Sequence, residues 1–277
     1  MFWLFWFLAA TIVLLLFLWL PAPNARRAMA TLTRKSYAHR GLHNKDAGIP
    51  ENSLPAFEHA VKNGYGIELD VQLTADHCLV VFHDDDTQRM CGKQLIVSQS
   101  TMDELWQLRL GNTKERIPLL EDVLRVVGGR VPLIIEIKYQ KRYPQLCKAL
   151  MVQLEGYRGK YCIESFHPFV VRWLYKHVPQ VPRGILSMNY AKEEKWRGDP
   201  VYFAAKYLLT NVMCRPHFIA YCHQDRHNLG FWACRRLFGA PTVAWTVRSE
   251  EEQQGLGEDY DAIIFENYLP PPEYTQQ

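Results

Sequence analysis

From residue 36 onward, short β-branched runs alternate with segments whose apolar positions recur every three to four residues. The runs 36–39, 66–73, 78–83, 132–138, 161–165, 183–186, 217–221, 241–247 and 262–265 read as strands. Between them, residues 53–63, 119–127, 144–154, 168–177 and 225–238 read as amphipathic helices, with Asn52 or Ser53 as N-cap of the first. Strands alternating with helices imply βαβ units and a parallel sheet. With this many units, closure into a TIM-type (β/α)8 barrel over residues 36–277 is the simplest α/β architecture.

Nine candidate strands compete for eight places. The link 74–77 is too short for a parallel crossover, which needs about a dozen residues. The second and third strands are therefore expected to form a hairpin turning at Ala75 and Asp76, with His83 roughly opposite Glu68. Residues 87–116 fit no strand–helix unit and read as an insertion over one face of the barrel, whereas 187–211 is aromatic and basic without a clear pattern.

Residues 1–20 differ from the rest: they hold no charged side chain and are dominated by Leu, Phe, Trp, Ile and Val. Twenty helical residues would span about 30 Å, the hydrocarbon thickness of a bilayer. No positive region precedes the run, which argues against a cleaved signal peptide. The expectation is an uncleaved single-pass transmembrane anchor, with residues 21–35 as a linker opened by Pro21 and Pro23. Arg26, Arg27, Arg34 and Lys35 follow the span, so positive-inside logic puts the barrel on the cytoplasmic side of the cell membrane.

Composition narrows the function. With 32 basic and 29 acidic residues the net charge is +3, too mild for a nucleic-acid binder, and no nucleic-acid motif is present. The seven cysteines form no CxxC pair and lie mostly in apolar runs, as reduced core thiols do. Cys91, His167 and His177 are assigned structural places. Oligomeric state has no sequence signature here.

The chemistry-bearing residues gather at expected strand ends, the functional face of such a barrel: His39 and Arg40, then Glu68 and Asp70, then His83 and Asp84, then Glu136 and Lys138. Positions i and i+2 of a strand share a face, so Glu68 and Asp70 project together, as do Glu136 and Lys138. Three converging carboxylates suit one hard divalent cation, Mg²⁺ or Ca²⁺. The competing reading pairs these acids with Arg40 and Lys138 in buried salt bridges. Two histidines arriving from different strands fit a general acid and general base. Arg40 and Lys138 supply positive charge suited to phosphate. Together these describe a phosphoryl-transfer site, and the absence of a GxSxG elbow and a P-loop removes serine hydrolases and NTPases.

The ordered set His39-Arg40-Gly41, Pro50-Glu51-Asn52-Ser53, Glu68-Leu69-Asp70-Val71, His83-Asp84 and Glu136-Ile137-Lys138 resembles the signature of the glycerophosphodiester phosphodiesterases, and Ser165-Phe166 and Trp245-Thr246-Val247 resemble its later elements. The resemblance runs from about residue 36 to 268. It implies a phospholipase C-like phosphodiesterase TIM barrel that releases glycerol 3-phosphate and an alcohol. It implies Glu68, Asp70 and Glu136 as cation ligands, His39 and His83 as the acid–base pair, and Arg40 and Lys138 as phosphate-binding residues. Trp245 is either a substrate-pocket residue or a core aromatic, and Glu51 and Asn52 are expected to position the site. The chain departs where it carries Ser53 for the usual threonine and Glu266-Asn267 where many members carry Thr-Asp. Two alternatives stand beside a soluble glycerophosphodiester substrate: lysophospholipase D-like action on membrane (lyso)glycerophospholipids, and an inactive membrane-bound binding module.

Overall fold

The computed structural model describes Phe2–Gln276. All nine expected strands form: β1 (Ser36–Ala38), β2 (Gly66–Leu73), β3 (Leu79–Val81), β4 (Leu133–Ile137), β5 (Tyr161–Ser165), β6 (Arg183–Ser187), β7 (Phe218–Cys222), β8 (Thr242–Val247) and β9 (Ala262–Phe265). Eight pair in parallel, and β1 bonds to both β9 and β2, which closes a TIM-type barrel. β3 is the antiparallel exception. It pairs with β2 through Val71 and Val81, and the Phe82 N–H donates to the Asp70 carbonyl at 3.0 Å. His83 therefore falls about one residue from the expected position opposite Glu68, because Phe82 already faces Asp70.

Strand alternation divides the core. Ile67, Leu69 and Val71 of β2, and Leu133, Ile135 and Ile137 of β4, are buried against the surrounding helices. Tyr37, Ile134, Cys162, Leu186, Phe218, Val243, Ala262 and Ile264 fill the barrel interior. Continuing each inward series by two residues carries it to polar side chains at the strand C-termini: Tyr37 to His39, Ile134 to Glu136, Cys162 to Glu164, Val243 to Trp245, Ile264 to Glu266. The apolar stack ends where the polar mouth begins.

The helices fit their expected places. Leu54–Lys62 is capped by Ser53, whose side chain accepts from the Ala56 N–H, so the cap is Ser53 rather than Asn52. The 225–238 region forms a short helix, Leu229–Trp232, that runs into a π-helical turn, Ala233–Leu237. The insertion carries its own apolar cluster, with Val97, Leu105, Leu108 and Leu110 packed on Val80, Phe82 and Ile117. In the unassigned 187–211 stretch, Tyr202 of the helix Pro200–Lys206 stacks on Trp196, and Tyr190 meets Trp196 edge-to-face.

The N-terminal expectations change most. The apolar segment forms a helix, Phe2–Leu18, of 17 residues. That is about 26 Å at 1.5 Å per residue, short of the roughly 30 Å hydrocarbon core. No helix among the described residues is long and apolar enough to cross a membrane, so the expected spanning anchor is not found. Its last residues belong to the barrel instead: the Trp19 indole N–H donates to the Tyr207 carbonyl at 2.8 Å, and Arg215 donates to the Leu20 carbonyl at 3.2 Å. Nor is 21–35 a free linker. Ala25, Met29 and Leu32 are buried, and Met29 and Leu32 join the barrel's interior cluster beside Tyr37 and Phe218. They seal the strand N-terminal end. Met29→Ala is expected to lower stability by about 2–5 kcal/mol, as a fully buried methionine does. Thermal or urea denaturation checks this, and a loss below about 0.5 kcal/mol would show residues 25–32 to be unpacked.

Candidate active site

Glu68 and Asp70 from β2 and Glu136 from β4 meet at the mouth. Each places a carboxylate oxygen within 4.8 Å of the others. The β2–β4 register sets Asp70 beside Glu136. They are 3%, 1% and 7% exposed, so water does little to screen their repulsion.

Lys138 and Arg40 offset part of that charge. Lys138 Nζ lies 2.8 Å from both Asp70 Oδ1 and Glu136 Oε1, and Arg40 Nε lies 3.5 Å from Asp70 Oδ2. The salt bridges of the competing reading thus exist, but they do not balance the cluster. Arg40 also binds Glu51 at 2.7 Å, and Glu68 receives only the Arg40 backbone N–H, at 3.0 Å. Burial and the charges of Asp70 and Glu136 hold the Glu68 carboxyl well above its usual range. Burial, with Asp70's charge, raises Glu136 against the pull of Lys138. Burial would raise Asp70 too, but Lys138, His83 and Arg40 overcome it and hold it low. The buried, all-oxygen donor set with a surplus of negative charge fits one hard divalent cation.

Each histidine is tethered through Nδ1. His83 Nδ1 lies 2.7 Å from Asp84 Oδ1, and His39 Nδ1 lies 2.5 Å from Glu266 Oε2. Burial lowers both imidazoles from their ordinary value, and the adjacent carboxylates draw them partly back. Glu266 is lowered to about 2 because His39 and Arg248 outweigh the burial that would raise it.

The loops carrying these residues hold unusual backbone. Arg40 and Asn52 have φ of 55° and 51°, and Gly41 has φ of 80°. A Cβ at Gly41 would also meet Ala56 Cβ at 2.9 Å, so glycine is required there on both counts. Such left-handed non-glycine residues cost about 1–3 kcal/mol each and concentrate at functional sites. Asn52 Nδ2 donates to Asp70 Oδ2 at 2.8 Å, so Asn52 orients a carboxylate of the cluster. Four buried polar atoms at the mouth make no hydrogen bond: Arg40 Nε, Asn52 Oδ1, Glu164 Oε2 and Trp245 Nε1. A large open cavity lies instead at the strand N-terminal end, among Arg26, Arg34, Arg235 and Asp261, away from this chemistry.

All ten expected site residues are brought to this mouth, with Trp245 half-buried against Phe166. Four others escaped the sequence reading. Glu266 binds His39. Arg89, from the insertion, donates to Asp84 at 2.6 Å and to Glu51 at 2.7 Å. Glu164, paired in register with Glu136, is 1% exposed, and burial raises its carboxyl well above the usual range. His43 is half-buried, with burial lowering it and the charges of Glu51 and Glu266 opposing. The inward alternation of β5 and β9 was the available signal for Glu164 and Glu266.

The Glycerophosphoryl diester phosphodiesterase family pattern matches residues 39–267. The chain belongs to this family. It is similar to the glycerophosphodiester phosphodiesterase of Caldanaerobacter subterraneus, 35% identical over 82% of this chain and 91% of that one. It is similar also to glycerophosphodiester phosphodiesterase 1 of Bos taurus, 34% identical over 90% of this chain and 84% of that one. A glycerophosphodiester phosphodiesterase structure from Thermotoga maritima superposes with a TM-score of 0.64 at 25% identity, covering 83% of this chain and 93% of that one. An Oleispira antarctica phosphodiesterase, solved with the product sn-glycerol-3-phosphate, shares the fold with a TM-score of 0.69 at 21% identity, over 85% and 94% of the two chains.

A fitting cation has a thermal signature. In chelator-stripped protein at neutral pH, Mg²⁺ or Ca²⁺ at 100 times its Kd is expected to stabilise by about 2.7 kcal/mol. Glu68 and Glu136 are raised in the cation-free chain, so protons compete for the same oxygens. The gain is present above those raised values and shrinks as pH falls through them. Glu68→Gln, which keeps the shape of the side chain and removes its charge, should abolish the gain. An equal gain in wild type and Glu68→Gln by calorimetry would remove Glu68 from the site.

Proposed function

We propose that the chain hydrolyses glycerophosphodiesters to glycerol 3-phosphate and a free alcohol, with Glu68, Asp70 and Glu136 holding a divalent cation and His39 and His83 moving the protons. The observation that carries this reading is the pair of Nδ1-tethered imidazoles beside a buried, under-compensated carboxylate cluster in a chain of this family. Bound there, Mg²⁺ or Ca²⁺ would neutralise phosphate charge and polarise its oxygens.

The protein groups do the rest. An imidazole that donates from Nδ1 to a carboxylate presents Nε2 to the substrate, where it accepts a proton if neutral and gives one if protonated. One imidazole takes the proton of the attacking hydroxyl, and the other returns a proton to the leaving alcohol oxygen. Arg40 Nε and the Trp245 indole N–H are buried and make no hydrogen bond, the former lying 3.5 Å from Asp70 Oδ2, and both are donors available to phosphate or glycerol oxygens. Lys138 adds positive charge beside them. Glu51 positions Arg40, and Asn52 positions Asp70.

A second reading keeps the chemistry and takes a lysophospholipid as substrate. It is favoured by Phe2–Leu18, which exposes Phe2, Trp3, Phe5, Trp6 and Phe7 together, a cluster of large apolar side chains of the kind that marks a membrane or protein contact. In this reading the helix lies on the cytoplasmic face of the cell membrane, where anionic lipid attracts the basic residues that follow it.

With full-length, chelator-stripped protein, glycerol 3-phosphate release from glycerophosphoethanolamine should return on adding Mg²⁺ or Ca²⁺. Glu68→Ala should lower turnover by about a thousandfold, in line with several kcal/mol of lost charge stabilisation. Release only from micellar lysophospholipid would move the substrate to lipid, and silence on both would overturn the reading. Trp3→Ser with Trp6→Ser should reduce co-flotation with vesicles, and unchanged flotation would detach the helix from membrane binding.

A further inference from the structure

The β1–β9 pairing carries more than barrel closure. Ala38 lies across from Phe265, and the His39 N–H donates to the Phe265 carbonyl at 2.9 Å. One residue further, two side chains that lie 227 positions apart point into the mouth together: His39 Nδ1 and Glu266 Oε2 are 2.5 Å apart. The other Glu266 oxygen, Oε1, accepts from Arg248 Nε at 2.8 Å. Both oxygens of the carboxylate are thus committed, and Glu266 has a fixed orientation with only 16% of its side chain exposed. Its backbone N–H is held too, donating to the Val247 carbonyl at 3.0 Å. The His83 side repeats the arrangement, with Asp84 on Nδ1 and Arg89 on Asp84. Asp84 is the sequence neighbour of His83, whereas Glu266 is the residue that follows the last strand, β9.

We infer that Glu266 is a positioning residue for the hydrolysis, fixing the Nδ1–H tautomer and ring orientation of His39 so that Nε2 faces the phosphodiester, with Arg248 fixing Glu266 in turn. A carboxylate in this place accepts only, so the imidazole keeps its proton on Nδ1 and presents a lone pair at Nε2. An amide in the same place can donate to Nδ1 and move the ring proton to Nε2, which removes the base without changing the shape of the site. The inference rests on the role proposed for His39. The arrangement is distinct from the cation site, since Glu266 is bonded to His39 and Arg248 and lies outside the Glu68–Asp70–Glu136 cluster.

The test joins a tautomer readout to kinetics in the full-length protein. Nitrogen-15 NMR of the imidazoles, with His39 assigned by loss of its signals in His39→Gln, should show His39 protonated on Nδ1 in the unsubstituted chain and altered in Glu266→Gln. On the hydrolysed glycerophosphodiester, Glu266→Gln should lower kcat by about 10²–10⁴-fold, the range for losing an oriented general base, with KM changed by less than about threefold. Glu266→Asp keeps the carboxylate on a shorter arm and should recover at least about tenfold of that loss. Arg248→Gln removes a half-exposed side chain, which the fold tolerates, and should cost kcat about three- to tenfold. His39 protonated on Nε2 in the unsubstituted chain, a Glu266→Gln kcat within about twofold of it, or equal losses in Gln and Asp would each overturn the inference. If the unsubstituted chain hydrolyses no glycerophosphodiester, the proposed function fails by itself, and the tautomer alone decides whether Glu266 orients His39.

Discussion

Repulsion among buried carboxylates organises the mouth of this barrel. Glu68, Asp70 and Glu136 lie too close together, and too far from water, to be charged side by side without compensation. Several features nearby answer that constraint. Lys138 reaches two of the three acids, and Arg40 turns into left-handed backbone and gives its N–H to the third. Asn52 adopts the same backbone region and donates to Asp70. The compensation is incomplete, and in the function proposed for the mouth that incompleteness is what a cation and a phosphate would use. A perfectly paired cluster would be more stable and chemically idle.

Much of this was legible from residues alone. The strands were visible because β-branched runs recur with inward alternation, and three of them, β2, β5 and β9, occupy the residues that the pattern marked. The hairpin followed from the shortness of the link 74–77, and its antiparallel register bears that out. The carboxylates and histidines were visible because they stand at strand ends in pairs spaced to share a face. The residues that escaped have weaker local signals. Glu266 meets its partner across 227 positions, so only the barrel's closure brings the two together. Arg89 lies on a one-turn helix in the insertion, where arginine is ordinarily a surface residue. Glu164 is one acid in an apolar strand, and although alternation from Cys162 turns it inward, an inward place alone does not mark an acid as functional.

The N-terminal segment shows the opposite failure, in which composition spoke too loudly. An uncharged apolar run reads as a bilayer span, yet the helix stops at Leu18 because the next residues have barrel partners. Ala25, Met29 and Leu32 recur at i, i+4 and i+7, but over barely two turns and between arginines, too short a stretch to announce a buried face. They are interior residues because the open end of a barrel exposes apolar side chains that something must cover.

That cover has a mechanical consequence. A flexible leash would let the barrel tumble and present its mouth in any direction. Here the chain passes from Phe2–Leu18 through the Trp19 and Arg215 bonds directly into the stopper beneath the strands. The helix and the barrel therefore behave as a bracket and its fitting. Whatever surface captures the exposed aromatic end also sets the compass bearing of the catalytic mouth, which opens at the far pole from the stopper.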